Sequence, residues 1–278
     1  MKAPCDMFIA GKGKRVKMSL ILKRIFLVIR MRELLLGMTK GELKSRYRSA
    51  YFGFSWTLIQ PLVMMITLYL VFSVVMKFNI RNYPVFLLAG LFPWTFTTSS
   101  LTSSSSSLWV FSDLVKKVYF PREVVVLSQI LANGFNFAVS LVVLLVFMLF
   151  FPVKWSPWIL LLPVVFLIHF SFTVGISLWG AALSVYFRDV QFLVNVSVLP
   201  WFYGTPIFYS MRMVPERFRL WLYLNPMTGI VEMYRSIFLE GVAPERVALV
   251  SSAVIAAVFF LSGAYLFGSR EKNFADFV

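Results

Sequence analysis

Long apolar stretches separated by short basic segments form the main pattern of the chain. A helix that spans a bilayer needs about 20 mostly apolar residues, and six stretches meet this requirement. They lie at residues 52–76, 84–111, 124–151, 158–186, 190–210 and 247–268. The pattern predicts an all-α integral membrane protein with six transmembrane helices in residues 51–278, after a cytoplasmic N-terminal region in residues 1–50.

Basic residues lie mainly outside the apolar stretches and predict the orientation of the chain. The net charge is +15, and 59% of the residues are hydrophobic against 14% charged. Lysine and arginine are concentrated in the first fifty residues and in segments 112–123, 186–191 and 269–274, which the positive-inside rule places in the cytoplasm. Segment 209–246 is an exception, but its glutamates offset much of its arginine charge. We therefore expect cytoplasmic N- and C-termini, and contacts with anionic membrane lipids rather than nucleic acid.

A run of small hydroxyl residues, "TTSSLTSSSSSL" at 97–108, lies inside the second predicted span. Serine hydroxyls in a membrane helix can bond to the backbone one turn earlier and let neighbouring helices approach closely. They can also offer a polar stripe to a hydrophilic substrate. Consecutive serines cover every face of a helix, so both interpretations stay open. Gly90 and Pro93, upstream of the run, predict a kink or break in this span.

The spans lack the residues that catalysis or ion coupling would need. All twelve acidic residues lie outside the apolar stretches or at their ends, whereas ion-driven transporters place ionisable residues near the bilayer midplane. The lone His169 is more typical of a packed, hydrogen-bonded side chain. Paired carboxylates, a metal cluster and a G-x-x-x-x-G-K-[ST] nucleotide loop are all missing. The sequence therefore predicts a protein that is not an enzyme, with no catalytic residue, cofactor or metal of its own, and any uphill transport must draw energy from another polypeptide.

Segment 16–36 has too many charges to span the membrane and predicts an amphipathic helix in the membrane interface. Its apolar face consists of Leu22, Ile25, Phe26, Ile29 and Leu36, and its basic face of Lys23, Arg24 and Arg30. A helix that packs on its own protein would show the same pattern. After Gly37, Thr39 and Glu42 have the spacing of a capping box, which predicts the start of a second short helix.

The cytoplasmic segment "VKKVYFPREVVV", residues 115–126, predicts a compact knob between the second and third spans. We expect Tyr119 and Phe120 to be exposed there beside two lysines, and aromatic residues with arginine are typical of protein interfaces. An ordinary positive-inside loop would carry the same charges. The pattern leaves open whether a partner docks on this knob.

Several motifs follow one another in a fixed order along residues 40–270. They are "LKSRYRSAYFGFSWTLIQPLVMMITLYLVFS" (43–73), "YFPREVVVLSQ" with its "FPRE" (119–129), and the segment 186–241 with "RD", "PIFY", "VP", "LNP" and a final arginine. Together they resemble the permease subunits of ABC-2 type exporters for bacterial surface polysaccharides. The pattern is most similar to that of O-antigen permeases, and capsule and teichoic acid permeases share much of it.

The resemblance implies a function, a location and partners. Such permeases sit in the inner membrane and pass a lipid-linked polysaccharide, here O-antigen, from cytoplasm to periplasm. They act as homodimers with two copies of a separate ATPase subunit, which would bind ATP and Mg²⁺. The alternatives are a permease for capsular polysaccharide or teichoic acid, an ABC-2 exporter of small lipophilic compounds or lipids, and a membrane scaffold or enzyme of glycan assembly that does not transport.

The resemblance also implies three groups of site residues. Contacts with the ATPase would come from Lys40, Lys44, Arg46, Arg48, Lys116, Lys117, Phe120, Pro121, Arg122, Glu123, Arg188 and Asp189, although the last two could simply anchor a helix end. A periplasmic gate of two short re-entrant helices between the fifth and sixth spans would include Pro206, Tyr209, Pro215, Asn225, Pro226, Glu232 and Arg235. The spacing supports an N-cap at Asn225 and a Glu232 and Arg235 pair. The channel would be lined by Trp56, Phe72, Trp94, Ser103, Ser104, Trp179, Trp201 and Tyr203, because aromatic faces stack on sugar rings, although membrane belts and core packing place the same residue types similarly.

Overall fold

The computed structural model describes Arg24 and residues 26–48, 53–153 and 156–278, and every regular element in these residues is helical. The α-helices are α1 (Arg32–Tyr47), α2 (Trp56–Leu68), α3 (Tyr83–Val110), α4 (Ser112–Lys117), α5 (Glu123–Phe150), α6 (Leu162–Tyr186), α7 (Val190–Tyr203), α8 (Glu216–Leu222), α9 (Pro226–Arg235), α10 (Arg246–Arg270) and α11 (Phe274–Phe277). Two π-helical segments, Tyr69–Val75 and Ser236–Glu240, continue α2 and α9, and 3₁₀ turns cover Gly53–Ser55, Pro157–Leu161, Met211–Met213 and Glu271–Asn273. The predicted all-α class is confirmed.

Five helical segments in the described residues are long and apolar enough to cross a membrane. They are Trp56–Val75, Tyr83–Val110, Glu123–Leu149, Pro157–Tyr186 and Arg246–Asn273, which match five of the six predicted spans. Helix α7, in the remaining stretch, has only 14 residues, about 21 Å at 1.5 Å per residue. A typical hydrocarbon core is roughly 30 Å thick, so the sixth crossing stays a prediction.

Helix α3 forms the centre of the bundle and contacts α2, α5, α6, α7 and α9. Of its most apolar 18-residue window, 83% is buried, so it packs against protein on nearly all sides. Helix α3 runs without interruption from Tyr83 to Val110, so the predicted break at Gly90 and Pro93 is absent, while a kink there stays a prediction. A proline inside a helix removes one backbone hydrogen bond, and Pro93 is buried within the bundle.

Helices α6 and α10 cross at a contact made by glycine. A Cβ atom added to Gly175 would lie 2.4 Å from the carbonyl carbon of Phe259, and one added to Gly263 would lie 2.4 Å from the Gly175 oxygen. The two backbones therefore touch directly, as small residues permit in membrane helix pairs.

Helix α1 packs on α5 and does not start at the predicted capping box. It runs through Gly37, and the Thr39 hydroxyl donates to the Leu35 carbonyl at 2.7 Å instead of capping a new helix. The capping-box prediction is wrong, because α1 packs on α5, buries Thr39 and continues through Gly37. Of the predicted amphipathic segment, residues 16–23 and 25 lie outside the described residues, while Phe26, Ile29 and Leu36 expose their apolar side chains.

Candidate functional site

A polar cleft of about 570 Å³ lies between α2, α3, α5 and α7, next to the end of α1. Its polar lining consists of Thr95, Thr98, Ser99, Thr102, Ser103 and Ser106 from α3, Asn133, Asn136 and Ser140 from α5, and Arg46, Tyr47, Thr57, Gln60 and Asn195. Aromatic side chains, namely Trp56, Phe92, Phe96 and Phe137, complete the walls. A cleft inside an apolar bundle is therefore covered with hydroxyl and amide groups.

The serine run contributes two different faces to the structure. Ser99, Thr102, Ser103 and Ser106 are three or four residues apart, so they share the helical face that lines the polar cleft. Ser104, on the opposite side, has no exposed surface. The two interpretations of the run thus apply to different serines. Ser103 lines the cleft as the sequence suggested, whereas Ser104 packs inside the bundle.

Arg46 joins the end of α1 to the wall of the polar cleft. Its Nε donates to Glu42 Oε1 at 2.7 Å, its Nη1 to Asn133 Oδ1 at 2.6 Å and its Nη2 to Gln129 Oε1 at 3.0 Å. Gln129 Nε2 donates in turn to Glu42 Oε2 at 2.9 Å. Asn133 Nδ2 donates to Ser103 Oγ at 3.1 Å. These five side chains, the Arg46 network, connect α1, α5 and α3.

Arg235, which contacts Phe86 near the start of α3, lies at the centre of a second cluster. Its side chain is almost fully buried, and it donates to the Pro206 and Ile207 carbonyls and to Glu232 Oε1. Its guanidinium lies 3.5 Å from the centre of the Phe86 ring, a cation–π contact. The predicted Glu232 and Arg235 pair is confirmed at 3.0 Å.

The chain between α7 and Ser210 is fixed mainly by side chains from α3 and α9. Asn225 caps α9 by accepting from the Met227 N–H at 3.1 Å, as predicted, and its Nδ2 donates to Thr205 Oγ1 at 2.8 Å. Tyr83 donates to the Phe208 carbonyl at 2.7 Å. Arg235 donates to the Pro206 and Ile207 carbonyls, so three successive carbonyl groups are bonded to side chains. We call residues 204–208 the held loop.

The "FPRE" loop folds against Arg24 and Glu271. Phe120 is 6% exposed and Tyr119 is 97% exposed, so the expectation that both are exposed is wrong for Phe120. The Arg122 N–H donates to Glu271 Oε1 at 2.8 Å, and Arg24 forms ion pairs with both Glu123 and Glu271. Burial disfavours the charge of Arg24, but the two carboxylates outweigh it and raise the pKa of this guanidinium.

The profile of the ABC-2 type transporter family matches residues 33–239. The chain belongs to the ABC-2 type transporter family. Its relatives include the O-antigen export system permease protein RfbA of Myxococcus xanthus, 36% identical over 248 residues, which are 88% of this chain and 95% of the relative. RfbA of Klebsiella pneumoniae is 32% identical over 246 residues, 88% of this chain and 94% of the relative. The polysialic acid transport protein KpsM of Escherichia coli is 22% identical over 240 residues, 83% of this chain and 91% of the relative.

The ATPase-contact residues expected in this ABC-2 transporter chain do not form one surface. Exposed members are Lys40, Lys44, Arg48, Lys116, Lys117, Arg188 and Asp189. Phe120, Pro121 and Glu123 are buried, and Arg46 and Arg122 are half-buried, each bonded inside the protein. Arg188 also lies 5.3 Å from the centre of the Trp109 ring. A partner that docked here would therefore meet the exposed basic residues and Tyr119.

The aromatic residues expected to line the channel of the ABC-2 chain are divided among several places. Trp56 lines the polar cleft. Trp94 is buried and packs edge-on against Trp201 at 5.0 Å between ring centres. Tyr203 is exposed at the end of α7. The indole N–H of Trp179 donates to Ser262 Oγ, and that of Trp201 donates to Asn225 Oδ1. The ring of Phe72 stacks on that of Phe208.

Two of the expected gate residues, Pro215 and Pro226, lie at the starts of the short helices α8 and α9, and Tyr209 lies between the held loop and the 3₁₀ turn Met211–Met213. Pro215 immediately precedes α8 and Pro226 is the first residue of α9. Tyr209 follows the held loop, and its ring contacts Phe208 at 5.0 Å between centres.

The amide residues of the polar cleft were missed in the sequence. Gln60, Asn133, Asn136 and Asn195 are polar residues inside predicted spans, where an unbonded amide is costly. Their presence in apolar stretches was the signal that could have identified them. His169, in contrast, lies outside the lining of the cleft and is fully buried, with Nε2 at 2.7 Å from Thr97 Oγ1. The packed, hydrogen-bonded interpretation of this histidine is confirmed.

Proposed function

We propose that this chain is the membrane-spanning permease subunit of an ATP-driven exporter, and that it moves a lipid-linked O-antigen polysaccharide from cytoplasm to periplasm across the inner membrane. Relatives named as O-antigen export permeases are 32–36% identical, whereas the polysialic acid transport protein is 22% identical. This difference favours O-antigen over a capsular polysaccharide as the substrate.

The polar cleft is the observation that carries the proposal. A polysaccharide presents many hydroxyl groups, which can exchange hydrogen bonds with the threonine, serine, asparagine and glutamine side chains of the lining. Flat aromatic walls at Trp56, Phe96 and Phe137 suit the apolar faces of sugar rings. None of the residues that line the cleft in the described part of the chain is acidic, and its arginine is paired with Glu42. A small lipophilic compound would not need such a lining.

Two features support a homodimer with the cleft on the dimer axis. Helices α2 and α7 border the cleft, and both expose apolar side chains, including Val63, Ile66, Leu193 and Val196. A second copy of the chain would cover these faces and close the open side of the cleft. In this arrangement α7 and the held loop make the fifth crossing, and α8 and α9 form the periplasmic gate before α10 makes the sixth.

A separate ATPase subunit would supply the energy and bind ATP and Mg²⁺. It would dock on the cytoplasmic side, at Lys40, Lys44 and Arg48 around the end of α1, at Lys116 and Lys117 of α4, and at Tyr119. Closure of two ATPase copies on ATP would then move α1 and open the path between the two permeases.

Depletion of the chain in its native cell tests the proposal. We expect full-length lipid-linked polymer to accumulate on the cytoplasmic face while the O-antigen on the cell surface is lost. Loss of capsule or teichoic acid alone would assign another polysaccharide. Unchanged surface glycans together with new drug sensitivity would refute polysaccharide export and favour an exporter of lipophilic compounds.

A further inference from the structure

Arg46 is half-buried and faces the bundle, although it lies on α1 between the exposed Lys44 and Arg48. Three of its nitrogen atoms donate to Glu42, Asn133 and Gln129, at 2.6–3.0 Å. Two of these acceptors are on α5, more than 80 residues away in the sequence. The side chain is therefore committed to contacts inside this chain and is not part of an open docking surface.

The Arg46 network uses three of the five N–H donors of the guanidinium, one from each nitrogen atom. Glu42 balances the charge of Arg46 directly and also accepts from Gln129. A planar guanidinium that bonds through Nε and both terminal nitrogens has a fixed orientation, which a lysine ammonium cannot reproduce. These bonds indicate that Arg46 holds neighbouring side chains in a fixed orientation rather than attracting an anionic ligand.

The orientation of Asn133 follows from Arg46. Because Arg46 donates to Asn133 Oδ1 at 2.6 Å, the amide must direct its Nδ2 toward Ser103 Oγ, 3.1 Å away. Asn133 and Ser103 both line the polar cleft. Ser103 in turn donates to the Ser99 carbonyl at 2.7 Å. Arg46 on α1 thus fixes the hydrogen-bonding groups that Asn133 and Ser103 present to the cleft.

We propose that Arg46 is a positioning residue for transport. It transmits displacement of α1 to the Asn133 and Ser103 pair, so that movement of α1 changes the donors and acceptors that the cleft offers to sugar hydroxyls. The proposal rests on the proposed function for the identity of the substrate. It assigns Arg46 to a link inside the permease and not to the ATPase contact that the sequence suggested.

The first test compares Arg46→Gln, Arg46→Lys and the matched control Arg32→Gln, in the complete permease with its ATPase partner. Arg32 is exposed on the same helix. We expect Arg46→Gln to keep its membrane level, its co-purification with the ATPase and its ATP hydrolysis, while polysaccharide export per ATP falls roughly tenfold. Arg46→Lys should not restore export, and Arg32→Gln should export normally. Loss of ATPase co-purification, or export that falls only with the protein level, would overturn the proposal.

Asn133→Asp gives a second test that does not depend on the stability of Arg46 variants. The carboxylate still accepts from Arg46 but cannot donate to Ser103, so we expect a folded protein with reduced export. Normal export from this variant would contradict the proposal. In a cycle of Arg46→Gln and Asn133→Ala, the double variant should lose little more export than either single variant, whereas effects that multiply would mean independent roles.

A labelling experiment separates this proposal from the proposed function. In a chain with Cys5→Ser, Thr102→Cys places a single thiol in the polar cleft beside Ser103. Arg46→Gln should change its rate of reaction with a polar maleimide at least about threefold, and Arg32→Gln should not. An unchanged rate would refute the positioning role. A changed rate in a chain whose depletion leaves surface glycans intact would retain the positioning role and refute polysaccharide export.

Discussion

Removal of the Arg235 side chain should strongly destabilise the part of the bundle around the held loop. Arg235→Ala leaves the Pro206 and Ile207 carbonyls without the donors that they have in the native protein. It also leaves Glu232 without its counterion and removes the cation–π contact with Phe86. The new methyl group cannot replace any of these interactions.

The magnitude follows from the burial of the pair. The Arg235 side chain is 4% exposed and that of Glu232 is 23% exposed. Breaking a buried ion pair by removing one partner costs about 3–5 kcal/mol, because the remaining groups stay desolvated and unpaired. We therefore expect Arg235→Ala to lower the free energy of unfolding by about 3–5 kcal/mol. Arg235→Lys should lose less, since an ammonium can still bond one carbonyl.

Unfolding of the purified protein in mixed detergent micelles, with increasing SDS, measures this difference. Arg212→Ala is the matched control, because Arg212 pairs with Glu240 at 2.9 Å in the same part of the molecule but is 83% exposed. Exposed pairs contribute about 0–1 kcal/mol. If Arg235→Ala and Arg212→Ala lower the stability equally, the held loop does not depend on Arg235 and the reasoning is wrong.

Three further predictions concern the helix crossing, the serine run and the cytoplasmic loop. Gly175→Ala should greatly reduce the yield of folded protein in detergent, because the added Cβ would meet the Phe259 backbone. The control Gly41→Ala should be tolerated, since Gly41 has open space around it. Equal yields of the two variants would contradict the close helix crossing. Ser106→Trp should fold and block export from the polar cleft, whereas Ser104→Trp should fail to fold because Ser104 is fully buried; normal export by folded Ser106→Trp would exclude the cleft as the route. Tyr119→Asp should keep the fold and weaken co-purification of the ATPase, because Tyr119 is exposed, and unchanged co-purification would remove it from the docking surface.

Contacts between residues close in sequence were the part of the site that could be predicted. The Asn225 N-cap and the Glu232 and Arg235 pair need only the geometry of one helix. Their wider roles were not predictable, because Arg235 also bonds carbonyls 28 and 29 residues earlier in the chain. Local spacing gave a wrong prediction at Thr39. Because α1 packs on α5, Thr39 bonds to the Leu35 carbonyl instead of capping a new helix.

Exposure in the cytoplasmic loop was harder to predict than its shape. Tyr119 and Phe120 are adjacent aromatic residues with similar sequence surroundings, yet one is 97% exposed and the other 6%. Phe120 packs into the hydrophobic core, and the loop beside it bonds to Glu271, 149 residues from Arg122. The expectation of two exposed aromatic residues was therefore wrong for Phe120, because its burial depends on residues that are far away in the sequence.

The sequence by itself determined that the protein is helical and membrane-spanning, because the length of an apolar stretch fixes whether a helix can cross a bilayer. It also indicated the family, through motifs that keep their order. Only the tertiary structure decided which serines line the polar cleft and where Arg46 bonds. A run of consecutive serines has no polar face of its own, so the neighbouring helices must select one, and the partners of Arg46 are brought near it only when α1 packs on α5.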